Sequence, residues 1–248
     1  MDRVGKQQST VPKSAAIFGS TGGIGTALCR QLSDRGCETI YTGSRSQTAI
    51  GLPGEAPFAF DLTDEASIGA AAAMMKDNPP DWVIVATGVL TLESGKGPER
   101  TFKRLDGATM AKVFALNTIG PALIAKHILP LMPREKRFVF AAISARVGSI
   151  SDNGLGGWHS YRASKAALNM LLKNFAIELQ RTHKHGVVAG LHPGTVDSAL
   201  SAPFQSNLPE GQLTEPHEAA GNLIDVLATL GPEDSGKVFD FAGKTVPA

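Results

Sequence analysis

Aromatic residues make up only 6% of this chain, with two tryptophans and two tyrosines, and there are only two cysteines. Each scarcity excludes something. Cys29 and Cys37 cannot build a disulfide framework. Both fall near the first expected helix, where a free cysteine serves as a small hydrophobe, which points to a reducing, cytoplasmic setting. Charge of either sign is also in short supply as an excess: the net is +1. With no basic stripe and no basic–aromatic interleaving, the electrostatic footprint of a nucleic-acid binder is missing. No apolar run reaches the roughly 18 residues of a membrane span. Residues 1–14 are polar and lack the apolar centre of a secretory signal. Residues 1–13 therefore read as a flexible arm ahead of one domain, residues 14–248, with neither membrane nor nucleic acid as partner.

Glycine is plentiful, at 27 residues, as are alanine and valine, which suits helices packed closely on a sheet. Residues 15–18 read as a first strand. Gly19-Ser20-Thr21-Gly22-Gly23-Ile24-Gly25 follows directly. Residues 26–34 then have helical spacing, with Leu28 and Leu32 on one face. Strand, glycine turn and helix is the context of a dinucleotide site: glycines let the backbone approach the pyrophosphate, and the helix N-terminus offers N–H groups to the anion. Taken alone, the turn is equally a tight strand–helix connection.

Residues 38–43 read as the second strand, ending at Ser44 and Arg45. NAD-selecting folds place an acid about 20 residues beyond the glycines. Here Ser44 stands at that place, and Arg45 can grip a 2′-phosphate with its guanidinium fork. NADP(H) is expected over NAD(H), although NAD(H) is not excluded. A third strand spans residues 57–62, with Asp61 and Leu62 at its end; Asp61 suits the adenine amino group or the cap of the next helix. The fourth strand, residues 81–88, is nearly all apolar, so buried on both faces, and ends in Thr87 and Gly88. Residues 90–104 read as loop and residues 107–131 as one helix. Asn117 lies inside that helix against its propensity, which suggests its amide has a task. The fifth strand is residues 137–144, the sixth residues 187–191, and the last residues 237–241. A helix over residues 215–229 precedes that last strand. His183 and His185 read as a solvated helix end, with no metal site. Such alternation gives an α/β, Rossmann-type doubly wound sheet of about seven mostly parallel strands, helices on both faces, in a single domain. Ligands of such sheets lie beyond the carboxyl ends of the strands, where the glycine turn, Arg45, Asp61, Gly88, Ser144 and Pro193-Gly194 gather.

Ser160-Tyr161-Arg162-Ala163-Ser164-Lys165 starts the helix that runs to about residue 181. Tyr161 and Lys165 share a face, since residues four apart are helix neighbours. A cation beside a phenol favours the phenolate, and such a pair can exchange a proton with a substrate oxygen. An isolated Tyr-x-x-x-Lys is more often a surface contact; the glycine turn at the other end of the chain reverses those odds.

From Ser14 to Gly243 the chain resembles the short-chain dehydrogenase/reductase superfamily. The resemblance is carried by Gly19-x-x-x-Gly23-x-Gly25, Asp61, Gly88, Asn117, Tyr161-x-x-x-Lys165 and Pro193-Gly194. Residues 144–153 and 157–165 look like the C-factor and Sniffer-type carbonyl reductase group. The resemblance implies Tyr161 as general acid/base at a small carbonyl or alcohol substrate. Lys165 would hold the nicotinamide ribose, Asn117 would anchor a relay water, and a serine would hold the substrate oxygen. Thr195 and Val196 would lie on the carboxamide or pyrophosphate side. A homodimer or homotetramer through residues 107–131 and 160–181 is implied too. Three positions depart from the family pattern. Ala86-Thr87 replaces an asparagine pair, and Gly22 replaces a basic residue of NADP-dependent members. Ala145 stands where the serine is expected, leaving Ser144 first and Ser149 second as its replacement. Leu90, Trp158 and Phe204 are candidates for the substrate pocket, or for plain loop packing. The alternative is a C-factor-like nucleotide-binding signalling protein with little turnover.

Overall fold

The computed structural model describes residues 11–209 and 211–248. Residues 1–10, most of the expected arm, lie outside them. Of the remaining arm, Val11 packs against the hydrophobic core, and Lys13 ties its N–H to Asp81 at 2.9 Å.

Seven strands form one sheet: β1 (Ser14–Phe18), β2 (Thr39–Ser44), β3 (Glu55–Ala59), β4 (Trp82–Val85), β5 (Phe138–Ile143), β6 (Gly186–His192) and β7 (Val238–Asp240). Their spatial order is β3-β2-β1-β4-β5-β6-β7, and every pairing is parallel. Side chains alternate across a strand, so the apolar runs feed two cores. Ala16, Phe18, Val83, Val85 and Phe140 face α2 (Glu65–Met74), α4 (Gly120–Ile128) and α5 (His159–Leu179). Ala15, Ile17, Ile84 and Ala141 face α1 (Gly23–Asp34) and α6 (Pro216–Thr229). The order reverses beside β1, so a crevice opens beyond the carboxyl ends of β1 and β4.

Strand β4 ends at Val85, short of the expected Gly88, and three further differences from the sequence expectation have a clear physical reason. First, β3 starts at Glu55 and ends at Ala59, so Asp61 lies beyond it. Glu55 anchors the start: its carboxylate accepts N–H groups of Ile50 and Gly51 at 2.7 Å and the Thr42 hydroxyl of β2 at 2.7 Å. Pro57, which donates no ladder bond, is tolerated because β3 is an edge strand. Second, residues 107–131 are not one regular helix. Here α3 (Gly107–Phe114) passes through a π turn, Ala115–Ile119, into α4 and a last 3₁₀ turn, Leu129–Leu131. This run is apolar and long enough by composition to cross a membrane, with a mean hydropathy of 1.3. Its buried residues, among them Val113, Asn117, Ile124 and Ile128, are spent on packing against α2, α5 and the sheet. Third, His183 is not part of a solvated helix end. It is buried, with its ring nitrogens against the Met132 carbonyl at 3.2 Å and the Thr182 hydroxyl at 2.8 Å.

Candidate active site

The glycine turn is shaped by what cannot fit. A Cβ on Gly25 would lie 2.0 Å from the Gly19 carbonyl oxygen, and Gly19 itself has φ +97°. Gly19 and Ser20 donate their N–H groups to the Gly43 carbonyl of β2, both at 2.9 Å. The Ser20 hydroxyl donates to that same carbonyl at 3.0 Å. Ser20 is therefore a buried brace rather than a wall of the crevice. Gly22, the N-cap of α1, carries no side chain to cap the helix. Among the described residues the first-turn N–H groups of Gly23, Ile24 and Gly25 thus have no side-chain partner, the arrangement that receives an anion. The Ile24 side chain packs on the core.

Beyond this turn lies a cleft of about 680 Å³. Gly19, Thr21, Ser44, Arg45, Asp61, Leu62, Thr87 and Gly88, all expected at a nucleotide site, line it. Ser44 is nearly closed off, its hydroxyl accepting the Thr48 N–H at 3.0 Å. Arg45 is 77% exposed and meets Glu93 at 3.6 Å. Asp61 accepts both the N–H and the hydroxyl of Thr63, at 2.7 and 2.6 Å, which hold its carboxyl below the usual range. The cap of α2 is Asp64 instead. The Thr87 hydroxyl is buried with no hydrogen-bond partner among the described residues. After β6, the Pro193-Gly194 turn has φ +78° at Gly194. Thr195–Val196 then pairs with Leu213–Thr214. This segment lies against the glycine turn: a Cβ on Gly23 would come 3.1 Å from that of Ser198.

Gly88 is where the cleft meets the tyrosine–lysine pair. A Cβ there would lie 3.2 Å from Asn117 Oδ1 and 3.4 Å from Lys165 Nζ. Asn117 sits in the π turn and is fully buried. Its Oδ1 accepts the Val89 N–H at 2.8 Å, and its Nδ2 donates to the Val89 carbonyl at 2.9 Å and to Ser164 Oγ at 3.1 Å. Both amide hydrogens are therefore engaged in holding the end of β4 against α5. Ser164 was not anticipated by the sequence reading, although it lies inside the Tyr161-x-x-x-Lys165 stretch.

Lys165 is buried, donates to the Ile143 carbonyl at 2.8 Å, and stands 5.9 Å from the Tyr161 ring centre. Burial lowers its pKa to about 8 and raises that of Tyr161 to about 12. This reverses the expected depression of the phenol: in the protein as it stands, desolvation outweighs the neighbouring cation. At neutral pH Tyr161 holds its proton.

The residue packed beside Tyr161 is Ala145. With Leu90 they form a small buried cluster that Val147, Trp158 and Phe204 complete. The expectation of Ser144, or of Ser149 after it, as a partner of Tyr161 needs correction. The Ser144 hydroxyl donates to Asn169 Oδ1 at 2.6 Å. Ser149 accepts the Asp152 N–H at 3.1 Å and donates to the Ala248 carbonyl at 3.4 Å. Successive residues of extended backbone point to opposite faces, so Ser144 and Ala145 cannot share a direction. Leu90, Trp158 and Phe204 come together at Tyr161, an arrangement that fits both of the expected roles, substrate pocket and plain loop packing.

A family model for short chain dehydrogenases matches residues 13–209. A 1-hydroxy-2-glutathionyl-2-methyl-3-butene dehydrogenase of Rhodococcus sp. (strain AD45) is 33% identical, over 89% of this chain and 93% of that protein. The C-signal protein of Myxococcus xanthus is 32% identical, over 72% of this chain and 98% of its own length. Among solved structures, NADPH-bound carbonyl reductase from chicken fatty liver superposes with a TM-score of 0.81 at 25% identity, covering 95% of this chain and 94% of that one. The carbonyl reductase Sniffer of D. melanogaster superposes at 0.82 with 20% identity, covering 95% and 99%, a likeness of fold. With the glycine turn, Asn117, Tyr161 and Lys165 in place, the chain belongs to the short-chain dehydrogenase/reductase family of oxidoreductases.

Proposed function

We propose that this protein is an NADP(H)-dependent reductase or dehydrogenase acting on a small, largely apolar carbonyl or alcohol, with Tyr161 exchanging the proton. One observation carries the reading: a buried Tyr161–Lys165 pair adjoins Gly88, at the inner end of a cleft that starts at a glycine turn. The cleft fits a dinucleotide on its own features. It has an uncapped helix N-terminus, glycines whose replacement would fill the cradle, and an unpartnered Thr87 hydroxyl. The glycine turn and α1 would hold the pyrophosphate, Arg45 a 2′-phosphate, and Asp61 the adenine amino group. Thr195 and Val196 would flank the far end, and Lys165 the ribose. A bound nicotinamide supplies hydride transfer.

Tyr161 supplies the proton. In the direction of carbonyl reduction the Tyr161 phenol would donate its proton to the developing alkoxide. Lys165, held by the Ile143 carbonyl, keeps a positive charge near that oxygen. Asn117 keeps Gly88, Val89 and α5 in register through its engaged side-chain amide. The apolar wall of Leu90, Ala145, Trp158 and Phe204 excludes water from the reacting atoms. Tyr161→Phe removes the acidic hydroxyl of this cluster. Its kcat should fall by about 10²–10⁴, the range of general acid catalysis, with NADPH affinity unchanged. Turnover by Tyr161→Phe at the wild-type rate against a screen of carbonyl substrates overturns the reading.

A second reading is favoured by Ala145. With no serine hydroxyl at Tyr161, a C-factor-like signalling protein with little turnover also fits. The relative named C-signal supports that reading, and the dehydrogenase relative supports the first. An Ala145→Ser variant separates them: a rise in turnover shows a site that lacks one donor, and an unchanged rate shows that Tyr161 suffices. A reducing, cytoplasmic setting suits the two free buried cysteines. Exposed Ile119, Met170 and Ile177, on the helical runs named for the dimer or tetramer, support a homo-oligomer.

A further inference from the structure

We infer that Glu99 is the positioning residue of this site: it clamps the elbow that leads into α5, and so sets where Trp158 and Tyr161 stand. The inference rests on the reading of Tyr161 as the proton donor. Glu99 lies in the loop after β4, sixty residues away in sequence, and is only 7% exposed. Its carboxylate accepts the Ser160 N–H at 3.1 Å and the Ser160 hydroxyl. Its backbone carbonyl accepts the Trp158 N–H at 2.6 Å. Burial pushes the carboxyl up, but these Ser160 donors hold it below its ordinary range, so both oxygens remain acceptors.

The elbow needs such a clamp. Gly156, Gly157 and Trp158 are three successive residues in the left-handed region, with φ of +64°, +67° and +51°. For a tryptophan that conformation is strained and persists only when its surroundings impose it. A Cβ on Gly157 would sit 3.8 Å from the Glu99 carbonyl oxygen, so the two loops run close together. Trp158 is also the N-cap of α5 and offers the helix no side-chain cap. Glu99 supplies that cap from outside, with its negative charge at the positive end of the helix. The result is a fixed indole. Trp158 meets the Tyr161 ring edge-on at 6.3 Å and the Phe204 ring at 5.2 Å. One carboxylate thereby orients the first turn that carries Tyr161 and one wall of its pocket.

Steady-state kinetics, NADPH titration and intrinsic fluorescence of Glu99→Ala and Glu99→Gln test this. The only other tryptophan, Trp82, is fully buried in the sheet, so a change in emission reports Trp158, and Trp158→Phe assigns it. In Glu99→Ala the expected result is a red-shifted emission and a kcat lowered by up to about 10²-fold, the cost of a small misplacement. The NADPH Kd should stay within about twofold. Glu99→Gln keeps an acceptor for the Ser160 N–H and should recover most of both signals. If Glu99→Ala does not fold, Ser160→Ala, which removes one of the two carboxylate contacts, should give an intermediate emission shift. A lower Tm with kcat and emission unchanged shows a structural role only and overturns the inference. An emission shift in Glu99→Ala in a protein whose wild type turns over no carbonyl sinks the reductase reading and leaves the clamp standing.

Discussion

Lys165 and Tyr161 titrate in opposite directions from their ordinary values because both are buried together. For Lys165 the consequence has a definite sign. Its folded pKa, about 8, lies below the ordinary 10.5. Between those values the unfolded chain holds a proton that the folded chain has lost, so this group adds stability as pH rises through that window. Lys165→Met removes the term. The wild-type minus Lys165→Met difference in unfolding free energy should shift in favour of wild type between pH 8 and 10.5. Urea unfolding at several pH values measures it, and a flat difference contradicts the burial argument. Taking the difference matters, since Cys29, Cys37 and Tyr161, all raised by burial, act oppositely in the alkaline range. At this scale the Tyr161–Lys165 pair was legible, because a four-residue spacing on a helix fixes which side chains share a face. The environment of the pair was not, because the groups that bury it come from residues 90, 145 and 204. The partner of Tyr161 turned on a single position, Ser144 or Ala145, where alternation decides the direction.

At the scale of elements, the π turn is what brings Asn117 inward. Such turns add a residue to the helical circuit and occur often at functional sites. Its only trace in the sequence is an asparagine amid a good helical pattern. Asn117→Ala would leave the Val89 N–H and carbonyl unpaired, with Ser164 losing a donor as well. Each unmet buried group costs about 1–3 kcal/mol, so a loss of stability in that range or above is expected in thermal or urea unfolding. A change below about 0.5 kcal/mol, as for an ordinary surface position, would show that the amide network is not what holds β4 to α5. The displaced start of β3 escaped the sequence reading for a similar reason. Its cause is the Glu55 carboxylate gathering N–H groups from residues 50–52, a tertiary contact rather than a periodicity. Strands β1, β4 and β6 were readable because burial on both faces leaves a continuous apolar run.

For the whole molecule, the doubly wound, mostly parallel sheet and the end of it where ligands lie followed from alternation, since parallel strands joined by helices have few ways to close; the order of the strands was not legible in the sequence and comes from the structure. The exposed apolar side chains of the runs 107–131 and 160–181 predict self-association. Sedimentation equilibrium should give a dimer or tetramer at micromolar concentration, and a monomer there removes that expectation. Calorimetric titration of NADPH and of NADH into the purified protein reads directly whether the cleft holds NADP(H). Among the described residues Arg45 pairs only with exposed Glu93, a contact worth at most about 1 kcal/mol, so a 2′-phosphate can take its place and gain a charge-assisted fork. NADPH should bind at least about tenfold more tightly than NADH, equivalent to about 1.4 kcal/mol. Equal affinity, tighter NADH, or no binding of either would rule out an NADP(H) cleft.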